Sequence, residues 1–421
     1  MGVKTRKLGN INDQLVEWQA VHVADGSTAL TTVAGRGYFI DTTSATQAVN
    51  LPANASSKLG DTIMLKDYAR KWGTNAVTLG SNTFDGVTNT PSFNTNGQTA
   101  TLVHMGGTKG WSLINDDTVT GLGAEYIAAT GGTVTTSSDF KIHTFTGDGN
   151  FVVSNDGNSA GSNKVDYLVV AGGGGGGGRS SAGGGGAGGF RASNDTCMPA
   201  PLTSPLANPT GLTVPVATYP ISVGGGGTAG PSSNPGEAGN GSNSVFSTIT
   251  STGGGGGADY PGPDGNPGGS GGGAGHTNTE GSGNTPPVSP PQGNPGQGGN
   301  NQCGGGGGGG AGAAGSVGTA PNQGGPGGVG SYMVSTGFAG CTGTTGPVSN
   351  TRYFAGGGGG RGGAGQPKPG GSGGGGSGAI NNSGNTAGTA NTGGGGGGAG
   401  GSAAGSAGGK GIVILRYKFQ N

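Results

Sequence analysis

The residues of this chain that could carry out chemistry are few and scattered. Its four histidines have no His-x-His or Glu-x-x-His spacing, so the sequence does not predict a metal site. Three of them, His22, His104 and His143, lie in alternating, strand-like segments, where a histidine is usually a hydrogen-bonded structural residue, and the fourth is His276. We identify no Ser-His-Asp or Cys-His arrangement and no pair of carboxylates placed for glycoside hydrolysis. We therefore expect no metal, no cofactor and no enzymatic activity.

The sequence matches two further motifs, a calcium-binding loop and a nucleotide-binding loop, only in part. Four aspartates lie in Gly/Asn turns without the acidic ladder of a calcium loop, so turn formation is their expected role: Asp148, Asp156, Asp259 and Asp264. The glycine runs match nucleotide-binding patterns by chance. Lys410, which follows Gly409, precedes another glycine and no helix, so the strand, helix and Lys-Ser/Thr pair of a phosphate-binding loop are missing.

Six large side chains stand out in the segments between glycine tracts, and two interpretations of them remain open. Exposed aromatic side chains bind sugars and protein edges well, which favours a binding surface. Equally, such side chains could cover the ends of the tracts and exclude water from them. Tyr260, flanked by Pro and Gly in a polar loop, is the one expected to be most exposed. The six are Tyr260, Tyr332, Met333, Phe338, Tyr353 and Phe354.

The composition excludes several classes of partner. Glycine accounts for 110 of 421 residues, the net charge is zero and only 9% of residues are charged. Without a basic stripe the chain is not expected to bind nucleic acid. No apolar run reaches about 18 residues, so no membrane insertion is expected, and Lys4, Arg6 and Lys7 are not followed by the apolar segment of a secretory signal. The odd number and wide spacing of the cysteines favour free thiols, with one disulfide as the alternative; they are Cys197, Cys303 and Cys341.

The first part of the chain predicts an all-β module. Residues 1–17 are polar and are interpreted as an N-terminal docking peptide, with a frayed domain start as the alternative. Residues 18–117 contain short alternating segments separated by Gly, Asn, Pro and Ser, which is typical of a sandwich or barrel. The predicted strands lie at 18–23, 37–41, 48–51, 61–67, 76–79, 100–105 and 110–114.

The second part predicts strands that frame a glycine-rich domain at 144–421. Residues 118–143 are interpreted as a connector, and the Gly-Asp-Gly between residues 141–146 and 150–154 predicts a hairpin. Strongly apolar segments precede the first glycine run, at 165–171, and follow the last one, at 411–417. Segments 219–224 and 244–249 are predicted to be further strands of this frame.

The glycine runs themselves predict an ordered bundle rather than a linker. Extended glycine favours a left-handed helix with three residues per turn and a rise of about 3.1 Å, in which every N–H and C=O points outward. Without Cβ atoms, neighbouring helices can approach closely enough to hydrogen-bond directly. The strict Gly-X-Y repeat of collagen is absent, so a collagen triple helix is excluded. We expect a polyglycine II sandwich, and we expect Gly306→Val to collapse it.

The ordered set of segments resembles the glycine-rich domain of tailed-phage appendage proteins. The resemblance begins with FTGDGNFVV at 145–153 and YLVVAGG at 167–173 and ends with GIVILRY at 411–417. Between them, three shorter pieces stand in the same order, at 188–191, 218–224 and 244–246. The region that begins with residues 35–43 and extends through 109–113 also resembles a β module of marine-phage virion fibre proteins.

This resemblance implies a virion protein on a surface appendage, assembled in the host cytoplasm. In tip adhesins of long tail fibres, loops at the far end of the bundle contact the bacterial receptor, a protein or glycan. Transferred by position, the loops at 258–267, 276–300 and 331–354 would carry that contact, with the six side chains named above as candidate receptor-binding residues. The N-terminal region would dock on other virion proteins, and the chain would be a homotrimer or would close as a monomer. A non-adhesive capsid or tail decoration protein is the alternative.

Overall fold

The structure is a computed structural model. It describes residues 16–117, 126–157, 161–194, 204–233, 237–260, 262–300, 304–319, 322–363 and 367–420. The chain forms two compact units, Met1–Ala124 and Glu125–Asn421. The proposed docking peptide, apart from its last two residues, lies outside the described residues, as do Cys197 and Cys303. In the described residues no helix is long and apolar enough to cross a membrane.

The protein is all-β, as expected. The strands are β1 Glu17–Trp18, β2 His22–Val23, β3 Leu30–Thr31, β4 Arg36–Asp41, β5 Gln47–Asn50, β6 Thr62–Asp67, β7 Val77–Leu79, β8 Asn82–Phe84, β9 Val87–Asn89, β10 Ser92–Phe93, β11 Thr99–His104, β12 Trp111–Asp117, β13 Ile127–Thr130, β14 Thr133–Ser137, β15 Phe140–Phe145, β16 Gly149–Asp156, β17 Lys164–Val170, β18 Phe190–Ser193, β19 Ala207–Asn208, β20 Leu212–Thr213, β21 Ala217–Ser222, β22 Ser244–Phe246, β23 Ile249–Ser251, β24 Ser331–Val334, β25 Thr351–Phe354 and β26 Ile412–Lys418. A short 3-10 turn covers Asn54–Ser56, and Ser335–Ala339 form a turn with non-helical dihedral angles at Thr336 and Gly337.

The first unit is a two-sheet sandwich. An eight-stranded sheet contains β4, β6 and β8, and a four-stranded sheet contains β3, β5 and β7, so consecutive strands alternate between sheets. As a result, β4 pairs with β6 and β5 with β7 in parallel, which the strand pattern did not predict. Alternate residues of each strand point inward, and their side chains meet between the sheets around the fully buried Trp72 and Trp111.

Two sheets that pack against each other frame the second unit. The order β13-β16-β21-β22-β23 defines one sheet, and β14-β15-β26-β17-β18-β19 defines the other. Strands β17 and β26, the two apolar segments predicted to enclose the glycine runs, pair antiparallel in the centre of the second sheet. Both are buried along nearly their whole length, which explains why their sequences are continuously apolar rather than alternating.

Each face of the central sheet has its own hydrophobic core. Tyr167, Val169 and Leu415 face the other sheet, where they pack with Phe151 and Phe246. The opposite face, which includes Leu168 and Ile414, packs against the β24–β25 hairpin and the turn that follows β24. The hairpin is thus the third layer of the frame.

Two expectations for residues 118–156 are corrected by the strand pairing. The predicted hairpin does not form: β15 pairs with β14 and β26, whereas β16 pairs with β13 and β21 in the other sheet. The Gly-Asp-Gly segment crosses between the sheets, and Asp148 Oδ1 accepts a hydrogen bond from the Val223 N–H (2.8 Å). Within the expected connector, β13, β14 and the start of β15 are paired strands of the second unit.

A buried ion pair joins the two central strands. Asp166 and Arg416 are register partners, and the distance between Asp166 Oδ2 and Arg416 Nη2 is 2.8 Å. The guanidinium also lies over the rings of Phe140 and Phe338, at 4.7 and 4.9 Å from their centroids. Ser193 Oγ donates to the second carboxylate oxygen (3.0 Å). Burial lowers the pKa of Arg416, and the neighbouring carboxylate opposes that effect.

The glycine tracts pack as a lattice of threefold helices. In the tract at residues 172–178, successive N–H groups donate in turn to three different antiparallel tracts, and the same neighbour recurs every third residue. Thus Gly172 donates to Ser242 and Gly175 to Gly239, each at 3.0 or 2.9 Å. The carbonyls of the same tract accept hydrogen bonds from three parallel tracts with the same period. The antiparallel neighbours are residues 239–242, 406–409 and 183–186, and the parallel neighbours are residues 254–257, 227–230 and 396–399. This is the hydrogen-bond geometry expected of polyglycine II.

The lattice leaves no room for side chains. A Cβ atom added at any of residues 172–178 would lie within 3.0 Å of a backbone carbonyl oxygen of a neighbouring tract. Gly306 is enclosed in the same way by Gln297, whereas a Cβ at Gly225 would have no atom within 4 Å. Glycine is therefore required by close approach at the interior positions, and Gly225 shows that the requirement is local.

Candidate functional site

The bundle has two chemically different ends. At the near end, tracts run directly into the strands of the frame, as Gly172 follows β17 and Gly411 precedes β26. At the far end, the described residues between outward and returning tracts are mostly polar and belong to no named strand. The described residues at the far end are 178–183, 230–233, 237–239, 258–260, 262–265, 275–280, 300, 304, 319, 322–323, 361–363, 367–368, 380–384 and 400–404.

Three far-end loops are tied together into one cluster. Arg179 and Tyr260 form an isolated parallel β-bridge, and the Tyr260 and His276 rings stack with centroids 4.3 Å apart and planes 20° apart. Asn278 Nδ2 donates to the carbonyls of Asp259 (3.2 Å), Gly262 (2.8 Å) and Pro263 (2.6 Å). We call Arg179, Ser181, Asp259, Tyr260, His276 and Asn278 the far-end cluster.

The cluster contains polar atoms that are buried without a hydrogen-bond partner. They are Arg179 Nη1, Ser181 Oγ, Asp259 Oδ2 and His276 Nδ1. Buried polar atoms in folded proteins are nearly always hydrogen-bonded, because an unsatisfied group costs about 1–3 kcal/mol. Their concentration at one end of the bundle is therefore the strongest chemical signal for a binding site in the described residues.

Asp259 supplies the carboxyl of the far-end cluster, and its pKa is shifted by burial. The residue is only 2% exposed. Burial raises the pKa of its carboxyl to about 6, although the hydrogen bond from the Gly178 N–H and the charge of Arg179 both act to lower it. The carboxylate is thus charged at neutral pH in a site that disfavours charge.

We expect Asp259→Asn to remove a pH dependence of stability. The pKa in the folded state exceeds the unfolded value of 3.8, so between pH 4 and pH 6 the folded state holds a proton that the unfolded state has released. The free energy of unfolding of the native chain therefore falls as pH rises through that window, by up to about 3 kcal/mol.

Denaturant unfolding of native and variant protein from pH 4 to pH 8 measures this difference. The Asp259→Asn protein should lack this decline, whereas Asp264→Asn, which alters an exposed carboxylate in the same loop, should retain it. Parallel curves for all three proteins would contradict the expectation.

The six predicted binding side chains do not lie together. Tyr260 lies in the far-end cluster and is half-buried. The other five belong to the near end, where the segment 331–354 forms the β24–β25 hairpin and its turn rather than a far-end loop. Met333, Phe338, Tyr353 and Phe354 are buried there, each at most 4% exposed.

The interpretation of those four side chains as a receptor surface is therefore corrected. They are covered because the hairpin packs on the central sheet, so the interpretation that they exclude water from the bundle end describes them better. Tyr332 is half-buried, and its ring centroid lies 5.2 Å from that of Tyr353 with the two planes tilted by 40°. The predicted loop 276–300 is divided, since residues 276–280 lie at the far end and the Pro-rich residues 286–291 at the near end.

The other residues singled out in the sequence have structural partners. His22 Nε2 lies 2.9 Å from Gln47 Oε1, His104 contacts Asn54 and Lys58, and His143 contacts Gly131 and Tyr417, which confirms them as hydrogen-bonded strand residues. Asp264 Oδ1 accepts a hydrogen bond from the Thr279 N–H (2.8 Å), so its side chain links two loops rather than closing its own turn as expected. The described residues contain no group of three or more potential metal ligands.

A cleft of about 590 Å³ opens at the near end, between β14 and the turn that follows β24. Its lining includes Thr135, Ser137, Thr336, Arg352 and the exposed free thiol of Cys341. None of the side chains that line this cleft has a buried polar atom without a hydrogen-bond partner, in contrast to those of the far-end cluster.

Sequence reasoning missed Arg179 and Ser181. Both interrupt the glycine pattern at a tract end and have positive φ angles, 63° and 56°. The signal available in the sequence was Arg179, a charged residue that interrupts a glycine run. The sequence does not show which other loops lie beside it, because the lattice determines that adjacency.

Comparison with known proteins identifies one family. A family model described as a glycine-rich domain matches residues 146–418. No curated protein matches the chain.

Proposed function

Because the chain belongs to the glycine-rich domain family, we propose that it is a structural protein of a tailed-phage virion whose glycine bundle presents receptor-binding loops at its far end. The observation that carries this proposal is the difference between the two ends: at the near end several tracts continue into frame strands, whereas the described far-end connections contain none. The strands that adjoin tracts are β17, β18, β21, β22, β23, β24, β25 and β26.

The bundle suits this task because it is stiff and because backbone hydrogen bonds, rather than loop side chains, hold its interior together. Interior tracts such as 172–177 are held by backbone hydrogen bonds to six neighbouring tracts. A loop side chain, that of Asp259, bonds this tract only at its last residue, Gly178. The loops can therefore differ in length and sequence while the lattice stays unchanged. A seven-residue tract extends about 22 Å from the frame, which moves the loops clear of it.

The remaining parts of the proposal follow from the same arrangement. The protein would be located on the virion surface, with the N-terminal region bound to other virion proteins and the far-end loops facing the bacterium. Its role would be adhesive and structural, without catalysis. The second candidate, a non-adhesive decoration or fibre-body protein, makes no use of the far-end cluster.

Cell binding by the full-length chain tests the proposal. A short epitope tag is inserted at an exposed far-end position, between Asn381 and Asn382, or at an exposed near-end position, between Ser349 and Asn350. The fluorescent protein is then titrated onto a panel of bacterial strains with and without an antibody fragment against the tag. Insertions at exposed loop tips are generally tolerated, so both proteins should fold.

We expect saturable binding to some strains, blocked by the antibody fragment at 381–382 and unaffected at 349–350. Blocking at the near end alone would place the receptor site elsewhere on the protein. If the well-folded protein binds no strain, the decoration role becomes the better explanation.

A further inference from the structure

Strand β14, Thr133–Ser137, forms one edge of the sheet that contains β17 and β26, and its outer side is open. It pairs with β15 in an unbroken antiparallel register, and in the described residues no other strand lies beside it. No backbone hydrogen bond outside the sheets joins residues 133–137 to another described segment. The N–H and C=O groups that point away from β15 are therefore available to a further strand.

The two faces of β14 are uncovered as well. Successive side chains of a strand point to opposite faces, yet Thr133, Val134, Thr135 and Thr136 are all exposed and Ser137 is half-buried. The cleft of about 590 Å³ separates the strand from the turn that follows β24. Since β14 buries almost no apolar surface, little offsets the entropy cost of ordering it except its pairing with β15. A further strand beside it would add the stabilisation that burial does not supply.

The other edge strands of these two sheets are protected against pairing. β19 and β20 have two residues each, β23 has three, and the register of β13 shifts between Ala128 and Ala129. Short strands and bulges keep sheet edges from joining other chains, as do charged residues and proline. β14 has five residues, no register shift, no charge and no proline. It is therefore the open edge of the described frame.

The sequence of β14 favours a second copy of the same strand as the occupant. In an antiparallel pair centred on Thr135, Val134 faces Thr136, Thr133 faces Ser137, and Thr135 faces its own counterpart. Pairs of β-branched residues and pairs of threonines stabilise neighbouring strands. A two-fold axis also brings identical residues together, so a charged strand would oppose its own copy, whereas β14 carries no charge.

We propose that β14 pairs antiparallel with β14 of a second copy of this chain, across a two-fold axis at Thr135, so that the two sheets become one continuous sheet. Such an interface is isologous and closed, so it gives a dimer rather than the homotrimer or monomer that the resemblance implies. It does not depend on receptor binding by the far-end loops.

The oligomeric state of the full-length chain tests the proposal. Sedimentation velocity over a range of protein concentrations should show a reversible equilibrium between monomer and dimer. Thr135→Lys places two positive charges opposite each other at the axis, and Thr135→Glu places two negative ones there. Each variant should therefore weaken dimerisation by about tenfold or more. Because Thr135 is exposed, neither change should disrupt the fold, which circular dichroism checks.

An equimolar mixture of the two variants distinguishes this pairing from association through another surface. Lysine in one copy then faces glutamate in the other, so the mixture should dimerise at concentrations where neither variant does so alone. Thr250→Lys is the matched control, because Thr250 is an exposed threonine of β23, at an edge of the other sheet. It should leave the dimerisation constant unchanged.

Three results would overturn the proposal. A chain that stays monomeric at every concentration would show that β14 does not pair with its own copy, which leaves the edge to a strand of a different protein. A trimer would contradict the two-fold arrangement. A dimer that Thr135→Lys does not weaken, or that mixing the two variants does not restore, would mean that the copies associate elsewhere.

Discussion

The Gly306→Val substitution is expected to abolish cooperative folding of the glycine bundle. Its Cβ would lie within 3.0 Å of the backbone of Gln297, which belongs to a neighbouring tract and cannot rotate away. To relieve the clash the tract must shift, which weakens the hydrogen bonds from Gly306 N–H to Ala274 (2.8 Å) and from Gly184 N–H to Gly306 (3.0 Å). Overpacking and unsatisfied backbone groups together cost at least about 4 kcal/mol, a large share of a typical domain's stability of about 5–15 kcal/mol.

Two neighbouring exposed glycines provide the matched control. An added Cβ would have no atom within 4 Å at Gly225, whereas at Gly226 it would lie within 3.0 Å of the Gly408 carbonyl. Scanning calorimetry should therefore show an unchanged or slightly raised melting temperature for Gly225→Ala and a lowered one for Gly226→Ala. If Gly306→Val and Gly225→Ala melt alike, close packing of the tracts is not what holds the bundle together.

The Asp166→Ala substitution is expected to destabilise the second unit by about 3–5 kcal/mol, because it leaves the guanidinium of Arg416 buried without its carboxylate. Arg416 and Asp166 are 4% and 3% exposed, so solvent cannot replace the lost partner. The frame depends on β17 and β26, and both strands would be disturbed at their shared register position. The loss in free energy of unfolding is measured by backbone amide hydrogen exchange in β17 and β26 of the full chain at increasing denaturant concentration.

The double variant Asp166→Leu with Arg416→Met separates charge burial from packing. Replacing a buried ion pair by apolar side chains of similar volume is often neutral or stabilising, so the double variant should recover most of the stability lost by Asp166→Ala. A double variant as unstable as the single one would mean that packing around Arg416, including its contacts with Phe140 and Phe338, matters more than the charge.

The frame of the second unit was predictable because its strands have an unusual sequence. Segments 165–171 and 411–417 are continuously apolar in a chain that is otherwise rich in glycine and polar residues, and they became β17 and β26. The polyglycine bundle was predictable for the opposite reason, since residues without Cβ can pack only through the backbone. All seven predicted strand segments of the first unit also contain strands.

The sequence patterns that predicted the strands did not predict which strands pair or which sheet faces pack together. An alternating strand has the same sequence whether its neighbour is parallel or antiparallel, so the parallel pairs of the first unit were not predicted. Similarly, Tyr353 and Phe354 lie in a four-residue strand between glycine tracts, which is too short to show a burial pattern. Only the neighbouring face of the central sheet explains why they are covered.

The candidate site was predictable at one residue only. Tyr260 was singled out by its polar, Pro- and Gly-flanked loop, and it lies in the far-end cluster. Its partners Arg179 and His276 come from other loops, and the lattice determines which loops are adjacent. No local pattern in the sequence records that adjacency.

The hydrogen-bonded lattice has a thermodynamic consequence for the response to temperature. Exposure of apolar surface raises the heat capacity of an unfolding protein, whereas exposure of polar groups lowers it, with a usual net value of about 12–15 cal/mol/K per residue. The bundle buries backbone amides and carbonyls with few apolar side chains, so its heat-capacity change per residue must be smaller. A small value flattens the curve of free energy against temperature, and the lattice should therefore lose little stability in the cold, where ordinary hydrophobic cores weaken.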